Sequence, residues 1–424
     1  MSDGVVRPSG ARATPSRTTP SRTTRSRALA PDLARGLMLL IVALVHAHMF
    51  VSGSAAVIRG YPRVAGSPLD ALTAGLLTVL ADSRSFPMFA LLFGYGVGRI
   101  LDRERQRGQD ERGARAVLRR RSRWLLLFGF CHGLLLFSGD VLGAYGLLGL
   151  AAVGLTGVND RTLFKVAGAG FVLGSVLYGG TLAANVSDEP GESAAALFLA
   201  ADPASDAAYR VGTWVFTTPL FAVVSLGPFL IGAWAARQRI LEEPGRFRGL
   251  LRRVAVTGTV IGVAGGLPLA TITSGLWATA PAGTTLALGV LHVLTGYAGG
   301  CALAAAVALL ALRLEGRHSR VVTAVAACGR RSMSCYVWQS VVWLVLFAPY
   351  AFALGDRVSV FGSALVACGT WGVGVLIAEL LRRLDRSGPA EALLHKATRR
   401  PVEPSGPHRG GLGSATRSTL PPRA

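Results

Sequence analysis

Three histidines stand inside long apolar stretches: His46, His132 and His292. Imidazole is neutral for much of the time near pH 7, so it is the least costly proton-transfer group to hold in a low-dielectric interior. Ionisable side chains placed there are functional candidates by default. His46 lies ten residues into the first apolar stretch, and His132 lies nine beyond Arg123. At 1.5 Å per helical residue both sit about 15 Å deep. The structural alternative is a neutral imidazole bonded to a neighbouring helix. It weighs evenly against chemistry for His46 and His132, and is preferred for His292.

Acidic and basic residues near these histidines have ordinary explanations beside functional ones. Asp32 and Arg35 open the first stretch, where a carboxylate complements a helix start and an arginine anchors at the interface. Gly139-Asp140 reads as a tight outer turn with a helix cap, or as a carboxylate that orients a histidine or holds a substrate hydroxyl. Arg119, Arg120, Arg121 and Arg123 precede the His132 stretch and could bind lipid or a phosphate-bearing cofactor such as coenzyme A. No metal-ligand spacing, paired-cysteine pattern or nucleotide-binding loop occurs.

The elements that must position these groups are helices in a bilayer. The chain has 424 residues, 51% hydrophobic and 16% charged, with mean hydropathy +0.46. Apolar blocks approach the roughly 20 residues that a membrane helix needs. The expected fold is an all-α polytopic bundle of ten transmembrane helices, at about 36–54, 85–101, 124–137, 140–157, 162–183, 213–236, 251–273, 285–312, 332–354 and 359–381. Residues 69–82 form a further short segment, either at the outer surface or the first half of a helix broken at Ser83–Pro87. Residues 1–26 and 396–424 are polar tails that cannot bury a core and are expected to be disordered.

A net charge of +21 could suggest nucleic acid, but the placement of the charges excludes it. With the amino terminus inside, all but five of the 44 basic residues fall in cytoplasmic segments. The exceptions are Arg59, Arg63, Arg84, Arg210 and Arg357. This asymmetry predicts a multi-pass plasma-membrane protein with both termini cytoplasmic. The longest outer loop is acidic, with Asp188, Glu189, Glu192, Asp202 and Asp206.

Several blocks resemble the YeiB-like bacterial membrane proteins, domain of unknown function family 418. Residues 27–46 resemble the opening D-x-x-R-G helix, although Asp32 follows proline where the family reads Leu-Asp. FPMFALLFGYG, 86–96, is similar to the second-helix motif. Residues 119–150 carry the Arg-Arg start, His132, the Gly139-Asp140 turn and Tyr145. Gly329 to Tyr336, extending to Gln339-Ser340, and Gly388-Pro389 with Glu391 complete a likeness that covers residues 27–395. The resemblance implies a distant relation to transmembrane acyltransferases, in one branch of which an Arg and a His ten residues apart mark the first helix. Arg35 and His46 enclose ten residues, although many YeiB-like members carry Asn near the position of His46.

Two functions follow as expectations. In the first, an acyl thioester such as acyl-coenzyme A enters from the basic side, and no cofactor is bound permanently. The acyl group passes to a hydroxyl or amine on a small-molecule or envelope acceptor. His46 serves as general base, Arg35 positions the donor, and His132 and Asp140 complete the site. The second is a transporter, or a membrane module that only binds lipid.

Overall fold

The computed structural model describes residues 29–51, 57, 61, 64, 67–154, 157–184, 202–316 and 319–398. The expected tail over 1–26, the expected tail over 396–424 from residue 399 onward, Arg59, Arg63 and the acidic Asp188, Glu189 and Glu192 lie outside those residues, whereas residues 396–398, expected in the second tail, are helical. Among the described residues the chain is all-α, with no strand. The helices are α1 (Leu29–Ala47), α2 (Pro68–Leu80), α3 (Ser85–Gln106), α4 (Glu111–Leu135), α5 (Leu142–Gly154), α6 (Asp160–Ala184) and α7 (Pro203–Arg237). They continue with α8 (Arg248–Thr273), α9 (Ala282–Arg313), α10 (Arg320–Arg330), α11 (Ser332–Phe347), α12 (Val360–Arg383) and α13 (Pro389–Thr398).

Seven described segments are long and apolar enough to cross a membrane: Leu29–Phe50, Pro68–Gln106, Asp160–Ala184, Pro203–Arg237, Arg248–Thr273, Ala282–Arg313 and Val360–Arg383. The other three expected spans correspond to α4, α5 and α11. Arginines occupy the first half of α4, and α5 and α11 have only 13 and 16 residues. Faces of the long helices turn large apolar side chains outward, as lipid contact requires. In α2 the exposed Leu69, Leu72, Leu76 and Leu80 fall at helical spacing.

The short segment is half of a broken helix, with the break at residues 81–84. Ser83 adopts a left-handed backbone there. α2 packs on α8 and α12, whereas α3 packs on α7, α9 and α1, so the two halves serve different neighbours. Arg84, expected as an outer anchor, is instead buried in the break. Its guanidinium donates to the carbonyls of Thr78 (3.1 Å), Asp82 (2.6 Å) and Gly262, and lies 3.2 Å from His292 Nδ1. His292 Nε2 is 3.9 Å from an Asp82 carboxylate oxygen. This cluster satisfies carbonyls released by the break, which is the structural role expected for His292. Arg210 is likewise buried rather than interfacial. It pairs with Asp206 at 2.7 Å and donates to the Leu134 carbonyl.

α1 is held by α10, α12, α9 and α3. Contact with α10 is close enough to require glycine: a Cβ on Gly36 would lie 2.1 Å from the Val325 carbonyl oxygen, and one on Gly329 would lie 1.7 Å from that of Asp32. α10 ends at Arg330 and α11 starts at Ser332, with only Arg331 between them, so the first amides of α11 need an acceptor. Glu391 of α13 supplies one, accepting from the backbone N–H groups of Met333 (2.7 Å) and Ser334 (3.2 Å) and from the Ser334 hydroxyl (2.5 Å). The closing Gly-Pro-x-Glu is therefore a cap delivered from a distant segment.

Candidate active site

α4 and α5 form a hairpin whose turn is buried inside the protein rather than exposed at an outer surface. Phe137, Ser138 and Asp140 are all nearly inaccessible. Close approach is possible because Gly129 has no side chain: a Cβ there would lie 2.1 Å from the Gly143 amide nitrogen and 2.4 Å from an Asp140 oxygen.

Asp140 caps α5, and its carboxylate also faces a histidine. Its Oδ1 accepts from the Leu142 amide at 3.0 Å and its Oδ2 from the Gly143 amide at 2.6 Å. Trp214 Nε1–H points at Oδ2 from 3.4 Å. The same Oδ1 lies 3.0 Å from His132 Nδ1. The ring nitrogen finds no hydrogen-bond partner of good angle, so this is a charge contact rather than a linear hydrogen bond. The other ring nitrogen, Nε2, is 2.9 Å from the Ser340 hydroxyl of α11. Asp140, His132 and Ser340 therefore form a continuous chain, with exposures of 0%, 5% and 2%.

α11 fixes the third member. Its Gln339 donates to the Leu39 carbonyl of α1 at 3.0 Å, which sets the rotation of the helix beside α1. Tyr336, one turn before Ser340, places its ring 5.0 Å from that of His132. Its hydroxyl sits at the α4–α5 turn, 3.5 Å from the Gly139 carbonyl and beside the Val141 amide.

Tyr336, Tyr145 and Leu142 form part of the wall of a cavity of about 980 Å³. That cavity extends to the basic end of the bundle, where Arg35, Arg121 and Arg330 line it. Arg35 lies 3.8 Å from Asp32 and donates to the Leu92 carbonyl at 3.4 Å. Arg121 makes no ion pair among the described residues. Burial lowers the affinity of its guanidinium for the proton and nearby Arg35 lowers it further, with Glu391 partly offsetting both. Two guanidinium groups held together in this way favour a bound anion, phosphate in particular.

The residues singled out in the sequence divide into three groups. His132 and Asp140 are in direct contact. Arg35 and Arg121 share the cavity that reaches their neighbours, whereas Arg119, Arg120 and Arg123 do not line it, and Arg119 and Arg123 are exposed. His46 does not line it either. Its ring lies 5.2 Å from that of Phe137, in an aromatic group with Phe50 and Trp343. It lies eleven positions after Arg35, about 16 Å along α1. Ser340 enters the sequence reading only as part of the Gln339-Ser340 pair, which by itself implies no role. The available signal was that Tyr336, Gln339, Ser340 and Trp343 share one helical face of an apolar helix.

Residues 235–401 match the family model described as Protein of unknown function (DUF418). The chain is similar to the uncharacterized protein YxaH of Bacillus subtilis (strain 168), at 24% identity over 78% of this chain and 83% of that protein. It is also similar to the uncharacterized protein YeiB of Escherichia coli (strain K12), at 36% identity over 119 residues, 28% of each chain. Together these matches make the chain similar to the YeiB-like DUF418 proteins, over residues 235–401 by the family model and over most of the chain by YxaH, and its long apolar helices are those of a multi-pass membrane protein.

Proposed function

We propose that this protein is a membrane acyltransferase in which His132, oriented by Asp140, is the general base. The observation that carries the reading is the buried Asp140–His132 contact beside the inner wall of a cavity with an arginine-lined entrance. A base buried against a carboxylate keeps its imidazolium form stabilised when it takes a proton. An acyl thioester, acyl-coenzyme A being the simplest, enters from the cytoplasmic side, where the arginine-rich connectors lie with both termini. Arg35 and Arg121 hold its phosphates. The acceptor is a hydroxyl or amine on a small molecule or envelope component. His46, near the other end of α1 and packed against Phe137, has no part in the transfer in this reading.

The test is mass spectrometry of lipid and envelope extracts from a deletion strain. An acyl mass should disappear, return with the wild-type gene and with His46→Ala, and stay absent with His132→Ala at equal membrane abundance. Unchanged acyl profiles on deletion refute the reading. A carrier function draws on the broken α2–α3 helix and its buried Asp82, Arg84 and His292. Solute uptake into proteoliposomes, with no acylated product from any thioester, would select it.

A further inference from the structure

Ser340 has a position that general-base chemistry alone does not require. Hydroxyls on membrane helices usually turn back to a carbonyl on their own helix. Those of Ser175, Ser363 and Thr370 do so, at 2.7, 2.8 and 2.8 Å. Ser340 instead reaches from α11 to α4 and meets His132 Nε2 at 2.9 Å. A hydroxyl, an imidazole and a carboxylate thus stand in the order that turns an alcohol into a nucleophile. We infer that Ser340 is a catalytic nucleophile that carries the acyl group as an ester between donor and acceptor. This rests on the acyl-transfer reading of the same site.

The step balances without any further reactant. The Ser340 oxygen attacks the thioester carbonyl carbon while its proton passes to His132 Nε2. The carbon–sulfur bond then breaks, and His132 returns the proton to the departing thiolate. In the second half, an acceptor hydroxyl or amine gives its proton to His132 and attacks the ester carbonyl. The bond to the Ser340 oxygen breaks, and that oxygen regains the proton. Asp140 remains a carboxylate throughout and supports the transient imidazolium.

Access from the cavity passes Tyr336, which lines the cavity and lies one turn before Ser340 on the same face. The Tyr336 hydroxyl is held at the α4–α5 turn, 3.5 Å from the Gly139 carbonyl and beside the Val141 amide, so the thioester reaches the serine only when the ring moves off that turn. A covalent stage also suits burial. Ser340 is only 2% exposed, which keeps water from the ester while the thiol leaves. Donor and acceptor then need not occupy the site together.

The full chain, purified in nanodiscs, is exposed separately to a biotinylated fluorophosphonate and to acetyl- and palmitoyl-coenzyme A, then digested for peptide mass spectrometry. A fluorophosphonate adduct on Ser340 is expected, falling at least tenfold in His132→Asn and Asp140→Asn. A hydroxylamine-labile acyl mass should appear at the same residue with a thioester. Ser340→Ala should lose both, and Ser340→Cys should regain an acyl mass as a thioester. Monodisperse elution of each variant excludes unfolding as the cause. Absence of any adduct on Ser340 in the folded wild type overturns the inference. So does full restoration of the envelope acyl mass by Ser340→Ala, which leaves direct transfer by His132 standing. An adduct on Ser340 in a protein whose deletion changes no envelope acyl group supports the nucleophile and overturns acyl transfer in favour of hydrolysis.

Discussion

Asp140→Asn is the substitution that most sharply separates chemistry from packing. The side chains have the same shape, but the amide keeps only one acceptor where the carboxylate has two. Asp140 accepts from the Leu142 and Gly143 amides and faces His132 Nδ1. Whichever way the asparagine turns, its NH2 group opposes a donor or forces Nδ1 to become an acceptor. In the second case the imidazole proton moves to Nε2, which then donates towards Ser340 and cannot take its proton. At 3.0 Å, and with an effective dielectric near 20, the carboxylate–imidazolium attraction is on the order of 5 kcal/mol. Desolvation consumes part of this, and a barrier increase of about 3–5 kcal/mol corresponds to a rate loss of roughly 10²–10⁴. The folded state loses about 1.5–3 kcal/mol for one charge-assisted hydrogen bond. The assay compares envelope acylation and transfer in nanodiscs for Asp140→Asn, His132→Asn and the double variant. Because the two side chains act as one unit, the double variant should be no slower than the worse single one. Transfer by Asp140→Asn within threefold of wild type, with normal thermal stability, would refute the role given to this pair.

Three further substitutions test the elements that position the site. Gly329→Ala pushes α10 away from α1 at the Asp32 carbonyl and should lower stability by about 1–3 kcal/mol, read as a lower melting temperature in detergent. Gly168→Ala, which meets nothing within 4 Å, is the neutral control. Arg84→Met strands Asp82 and several carbonyls in the helix break, so a loss of about 3–5 kcal/mol should appear as aggregation on size-exclusion chromatography. Adding Asp82→Asn should recover part of it. Glu391→Ala removes the cap from the start of α11 and should cost about 1–2 kcal/mol, measured as lower protection of the Met333 and Ser334 amides in hydrogen exchange.

Apolar length made most of the bundle legible, because a bilayer imposes one strong constraint on every long helix. The amphipathic α10 is not legible in this way, because an 11-residue helix with arginine at both ends lacks that signature. Charge counting placed Arg84 at an interface because it treats any arginine between apolar blocks as solvated. Besides the local Thr78 and Asp82 carbonyls, its partners are a carbonyl on α8 and a histidine 208 residues away, and neither of those separations is visible as spacing. Asp140 and His132 both stand out as ionisable groups in apolar surroundings, but their eight-residue separation does not fix the shape of the turn between them.

The residues proposed for the chemistry lie on or beside helices that fall short of a full span. α5 covers about 20 Å and α11 about 24 Å at 1.5 Å per residue, less than the roughly 30 Å of a hydrocarbon core. A helix that stops short must end in a turn, and a turn inside the protein exposes backbone amides that need acceptors. Asp140 is there to satisfy two of them, and a carboxylate held by two amides is then available to a neighbouring imidazole at no further cost in burial. The same shortness breaks α10 from α11 at Arg331, which fixes where Tyr336 and Ser340 face. In this fold, therefore, a segment too short or too charged to cross the membrane is the place to look for the site, and His132, Asp140 and Ser340 all lie on such segments.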